Sequence, residues 1–105
     1  MTTTLATAPM APGAGRLRGK TCLLMGGGAS STEGGPSNGQ AVALTFAREG
    51  ARVAVVDQHL AAAEDTVRQV RAAGGEAVAL QADVSRHDDV RAAVAGCLQA
   101  FGRID

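Results

Sequence analysis

Between Thr21 and Asp57 the chain reads TCLLMGGGASSTEGGPSNGQAVALTFAREGARVAVVD, and two features of that stretch could do chemistry. The first is a set of glycines: Gly26, Gly27, Gly28, Gly34, Gly35 and Gly39. A phosphate needs several backbone N–H donors pointing one way, close approach needs residues without a β-carbon, and a following helix adds the favourable end of its dipole. The second is Asp57, a carboxylate that ends an apolar run about 20 residues after the loop, where it can accept hydrogen bonds from the hydroxyls of a ribose. Phosphate donors followed by such an acid suit a dinucleotide. Asp57 would repel a 2′-phosphate, and Gln58, His59 and Leu60 bring no arginine to offset it, so the residues favour NAD over NADP. The same carboxylate also suits a cap on the next helix, and the two roles are compatible.

The glycine spacing is not G-x-G-x-x-G, because the connection from Gly26 to Gly39 is several residues too long. Gly34 to Gly39 has the frame of a phosphate-binding Walker loop, reading GGPSNGQA to Ala41. Gln40 stands where that loop needs Lys, and Ala41 where it needs Ser or Thr to hold magnesium, so both charge-handling groups are missing. A surface loop without a ligand is the plainer alternative.

The elements that must position these residues follow from apolar periodicity. Thr21 to Met25 is a short continuous apolar run between Lys20 and the glycines, as for a strand covered on both faces of a parallel sheet. Gly39 to Glu49 carries Val42, Ala43, Phe46 and Ala47 on one helical face and stops at Gly50. Arg52 to Val56 is a second strand, ended by Asp57. From Leu60, Ala63, Val67 and Val70 form a helical stripe that stops at Gly74 and Gly75, and Ala77 to Leu80 is a third strand. Ser85 with Asp88 resembles a helix-starting box, after which Val90, Val94, Cys97 and Phe101 mark the face of a third helix ending at Gly102. Unbroken alternation predicts an α/β fold: a partial Rossmann-type parallel sheet, β-α-β-α-β-α, with strand order 3-2-1 and right-handed crossovers. That arrangement places the first two helices on one face and the third on the other. A fourth strand beside the first is missing, which leaves an edge open to association.

Composition narrows the function classes. One domain at most fits 105 residues, with a core of Ala, Val and Leu. Ten basic and ten acidic residues are scattered rather than striped, which argues against nucleic acid as a partner. No apolar run approaches the roughly 18 residues of a membrane span, and the N-terminus lacks a secretory core, so a cytoplasmic location is expected. Residues 1–18, rich in Thr, Ala, Pro and Gly, are expected to form a disordered tail, with 19–105 as the folded unit. An acid-free leader ending in Arg16 and Arg18 is also compatible with an organelle transit peptide, although it lacks the amphipathic pattern. Cys22 and Cys97 are too far apart in sequence for a metal or redox motif and read as reduced core thiols, while His59 and His87 read as surface residues.

LRGKTCLLMGGG, FAREGARVAVVD, the doublet Asp83 and Val84, and the closing FGRID together resemble the N-terminal part of the classical short-chain dehydrogenase/reductase family, over about Leu17 to Asp105, with 19–105 as the N-terminal half of its Rossmann dinucleotide-binding domain. The resemblance implies that Gly26 and Gly39 shape the pyrophosphate turn with Gly28 between them. It also implies that Asn38 lies beside the cofactor, that Asp57 reads the adenosine ribose, and that Asp83 and Val84 contact the adenine. Met25 stands where the family usually has Thr, Ser37 or Gly35 is nearest to an expected middle glycine, and around seven residues near Ser30 to Pro36 are extra. The implied reaction is hydride transfer between a nicotinamide and a small-molecule alcohol or ketone, in a protein that forms homo-oligomers at full length. Its acid–base Tyr and the Lys four residues on have no counterpart here: the chain has no Tyr, and its one lysine, Lys20, precedes the first strand. No catalytic residue and no metal ligand is expected in these 105 residues, which read as a cofactor-binding fragment inactive alone. A non-enzymatic nucleotide-binding or interaction module is the alternative.

Overall fold

The computed structural model describes residues 13–29 and 37–105. Three strands, β1 (Thr21–Met25), β2 (Arg52–Asp57) and β3 (Glu76–Gln81), alternate with three helices, α1 (Asn38–Arg48), α2 (Leu60–Ala72) and α3 (His87–Phe101). The sheet is parallel with order β1-β2-β3, the 3-2-1 arrangement of a partial Rossmann-type fold. Register runs from Thr21 opposite Arg52 to Met25 opposite Val56, and from Arg52 opposite Glu76 to Asp57 opposite Gln81. All three strands therefore finish at one end of the sheet, where β1 and β2 deliver Gly26 and Asp57.

The middle strand explains its own composition. Val53, Ala54, Val55 and Val56 are all fully buried, because β2 is paired on both edges and covered on both faces. Strand pleating sends alternate side chains to opposite faces. Val53 and Val55 join Ala43 and Ala47 of α1 and Ala63, Val67 and Val70 of α2 in one cluster. Val56 meets Ala82 and Ala93 of α3, with Leu23, Met25 and Leu80 packed around them. The first two helices thus share one face and the third takes the other, as right-handed crossovers require. Each helix stops where the periodicity does, at Gly50, Gly74 and Gly102, all with positive φ.

Two local features differ from the sequence reading. Of the tail expected over 1–18, residues 1–12 lie outside the described part, but Gly13 to Arg18 are held against the end of α1. Gly13 N donates to Arg48 O at 3.1 Å, Leu17 N to Glu49 O at 2.8 Å and Arg16 N to Glu49 Oε1 at 3.1 Å. The last carbonyls of a helix lack intrahelical donors, and this segment supplies them while Leu17 packs on the core. The box expected at Ser85 and Asp88 does not form. Arg86 is the N-cap of α3 and makes no side-chain cap. Ser85 instead lies one residue ahead of that cap and gives its backbone N–H and its hydroxyl to Asp83 Oδ1, at 2.9 and 2.6 Å, a charge-assisted turn that holds it outside the helix.

Along its outer side β1 meets only the last residue among those described: Asp105 N donates to Thr21 O at 2.9 Å, and Thr21 N donates to Asp105 Oδ2 at 2.8 Å. Cys22 and Cys97 are both free thiols, and burial pushes both upward in pKa. Among the described residues no helix is long and apolar enough to cross a membrane.

Candidate functional site

The turn after β1 is fastened to its neighbours at nearly every residue. Gly26 N and Gly27 N both donate to Val56 O, at 2.7 and 3.1 Å, carrying the sheet pairing one step past the strand. Gly27 O accepts from the buried Thr66 hydroxyl of α2 at 2.8 Å. Gly28 N donates to Asp57 Oδ2 at 3.0 Å, and Ala29 N to Ala62 O at 2.9 Å. On the far side of the loop, Ser37 donates its hydroxyl to Gly28 O at 2.7 Å and accepts from Gln40 N at 3.1 Å, capping α1. One hydroxyl therefore joins the two ends of the loop and starts the helix.

Close packing explains two of the glycines. A β-carbon at Gly39 would stand 2.1 Å from the carbonyl oxygen of Gly26, so the first turn of α1 lies directly on the backbone of the β1 turn. At Gly28 a β-carbon would stand 2.6 Å from Asp57 Oδ2. Asn38 and Gly39 are first-turn residues of α1, whose N–H groups the helix does not itself use. Beside them the amide nitrogen of the buried Gln40 side chain has no partner among the described residues. An anion fits this arrangement: bare backbone, N–H groups that the helix itself does not use and the positive end of an eleven-residue helix meet there.

Next to this turn lies a cavity of about 200 Å³ lined by Gly26, Asp57, Gln58, His59, Ala82 and Val84. It is smaller than the roughly 300–1,000 Å³ of pockets that enclose a drug-sized ligand, so it suits one ring of a larger molecule. Asp57 is fixed at its rim. Besides the bond from Gly28, its Oδ1 accepts from His59 N at 2.9 Å; His59 is itself the N-cap of α2, so the carboxylate braces the approach to the helix without capping it. Each oxygen keeps a further lone pair for a hydroxyl donor. Among the described residues no Lys or Arg lines the cavity. Val84 is 60% exposed, which leaves an apolar surface at the mouth. Asp83 is not part of the lining. The Ser85 hydroxyl, and then the Ser85 N–H, hold its carboxyl below the ordinary carboxylate range, and its own N–H donates to Asp89 Oδ2 at 2.9 Å.

Of the residues singled out from the sequence, Gly26, Asp57 and Val84 share the cavity, Gly28, Asn38 and Gly39 form the adjoining turn, and Asp83 braces the segment that carries Val84. Three others were missed as site-builders. Thr66 stands on the buried face of α2 among Ala63, Val67 and Val70, and a hydroxyl in that stripe is the signal for a buried partner. Ser37 and Gln40 have the S-x-x-Q spacing of a helix start, which glycine counting passes over.

The comparisons with known proteins point one way. The short chain dehydrogenase family profile matches residues 32–105. The short-chain dehydrogenase/reductase homolog YusS of Bacillus subtilis is 39% identical over 75 residues, covering 70% of this chain and 69% of that protein. The cis-1,2-dihydrobenzene-1,2-diol dehydrogenase of Pseudomonas putida is 40% identical over 90 residues, covering 86% of this chain and 29% of that enzyme. Among solved structures, the 3-ketoacyl-(acyl-carrier-protein) reductase of Brucella melitensis, complexed with NADH, superposes with a TM-score of 0.71 at 37% identity, covering 85% of this chain and 33% of that one. The chain thus spans about a third of the two named enzymes and most of YusS. A parallel 3-2-1 sheet with a glycine turn packed on α1, matched over most of the chain by sequence and by structure, makes this chain a member of the short chain dehydrogenase family.

Proposed function

We propose that these residues hold a nicotinamide dinucleotide, NAD in preference to NADP, for an oxidoreductase acting on a small alcohol or ketone. The observation that carries the reading is Asp57: its carboxylate is fixed by Gly28 N and His59 N at the rim of a cavity whose described lining has no Lys or Arg. When bound, the nicotinamide supplies the hydride acceptor or donor. This chain's own residues do the holding. Asn38 N and Gly39 N meet the pyrophosphate, Gly26 leaves room for it, Asp57 accepts from the adenosine ribose hydroxyls, and Val84 packs on the adenine. Among the described lining residues no Lys or Arg offsets the repulsion between Asp57 and a 2′-phosphate.

The 105 residues contain no Tyr, so we infer that they supply the cofactor-holding part of the reaction and do not catalyse it alone. Substrate and oligomer contacts then belong to the rest of a full-length protein in the cytoplasm.

Titration calorimetry of the chain with NAD and with NADP tests the reading. NAD should bind the more tightly. Asp57→Ala should weaken NAD by about 1–3 kcal/mol, the range for a lost hydrogen bond to a charged group, and narrow the difference from NADP. Equal NAD affinity in a folded Asp57→Ala protein would remove Asp57 from the site.

A further inference from the structure

The bond from Ser37 to Gly28 has a consequence for the length of the glycine loop. Gly28 and Ser37 are nine positions apart, yet the Ser37 hydroxyl lies 2.7 Å from Gly28 O. The Ser37 hydroxyl oxygen accepts from Gln40 N, and Ala41 N donates to Ser37 O at 3.0 Å, so the hydroxyl is anchored to the first turn of α1. The near side is anchored too: Gly28 N on Asp57 and Ala29 N on Ala62 O. Bonds among the described residues therefore fix both ends of the connection to the folded body.

We infer that Ser37 is a positioning residue: its hydroxyl holds Gly26–Ala29 and Ser37–Gly39 together as one cradle, which makes Ser30 to Pro36 separable from cofactor binding. Without those residues Gly26 and Gly39 come within one residue of the length of G-x-G-x-x-G, the spacing the sequence lacks. Ala29 alone could then join Gly28 to Ser37, since two successive Cα–Cα steps reach about 7 Å. In the long loop the hydroxyl does what covalent continuity does in a short one. A free loop costs only slightly more to close as it lengthens, so one hydrogen bond that also caps a helix is enough to hold the ends. This inference rests on the proposed dinucleotide site for its affinity readout, but its geometry can be tested without ligand.

Five proteins decide it: the chain itself, Ser37→Ala, Ser37→Thr, the chain lacking Ser30 to Pro36, and that deletion combined with Ser37→Ala. Each is measured for thermal midpoint and for exchange of the Gln40 amide without ligand, and for NAD affinity by calorimetry. The deletion should keep the midpoint and hold NAD affinity within about threefold. Ser37→Ala should speed Gln40 exchange and weaken NAD about tenfold in the long chain, the scale of a lost N-cap, and clearly less in the shortened one. Ser37→Thr, which keeps the hydroxyl, should restore most of the loss. A deletion that unfolds, or that folds but loses NAD, overturns the inference, because Ser30 to Pro36 would then be part of the cradle. An equal effect of Ser37→Ala in both backgrounds also overturns it, since the hydroxyl would then act only as a cap. If the parent chain does not bind NAD, the proposed function fails, and the midpoints and exchange rates still decide the role of Ser37.

Discussion

Asp57 and Gly39 show how little of a site residue's work is visible in its own letter. The sequence left open whether Asp57 reads a ribose or caps a helix, and the structure has it bonded to His59 N at the start of α2 and to Gly28 N in the loop. Replacing it therefore disturbs a strut as well as the proposed ribose contact. Gly39 is constrained by space. With Gly26 O only 2.1 Å from where a β-carbon would stand, Gly39→Ala forces backbone from backbone and displaces the start of α1. The expected outcome is loss of more than tenfold in NAD affinity with the helical circular dichroism largely kept. Unchanged affinity would mean that the two turns separate without harm.

At the scale of elements, the N-terminal segment and α1 are joined through Glu49. Its carboxyl is held below the ordinary carboxylate range, first by the Arg16 N–H and then by the Arg16 charge, against some opposing desolvation. A carboxylate depressed in the folded state contributes stability above its unfolded pKa of about 4.3 and loses it as pH falls through the lower folded value. Acidification below about pH 4 should therefore release Gly13 to Arg18 from α1 before the sheet melts. Amide exchange at Arg16 and Leu17 followed against pH would show this as an early rise. Exchange that rises only with global unfolding would assign the attachment to Leu17 packing instead. The contact was missed because Gly13 to Arg18 has no period of its own, and its hydrogen-bond partners lie more than thirty residues away.

For the molecule as a whole, stability is concentrated in β2, which both clusters share through alternate residues. Val55 is fully buried beneath both α1 and α2, and its Cγ1 lies 2.9 Å from where a β-carbon on Gly27 would stand, so core and glycine turn pack together. Val55→Ala should cost about 2 kcal/mol through lost burial and a residual cavity, and should weaken NAD as well, because the turn loses its floor. Denaturant unfolding and calorimetry on the same protein check both. A stability loss with intact NAD affinity would uncouple turn from core.

Much of the fold was legible because parallel sheets oblige their sequences to show it. Runs such as RVAVVD, stripes such as Ala63, Val67 and Val70, and the stopping glycines follow from periods of two and 3.6 and from backbone sterics, all local properties. The family likeness resides in the same local segments. What tertiary structure alone decided is which distant groups meet. Ser85 turned back to Asp83 rather than starting α3, Gly13 to Arg18 found the free carbonyls of α1, and Ser37 reached across the loop to Gly28. Each of these is a polar group choosing among several partners of similar strength, and the choice depends on distances that exist only once the apolar pattern has folded the chain.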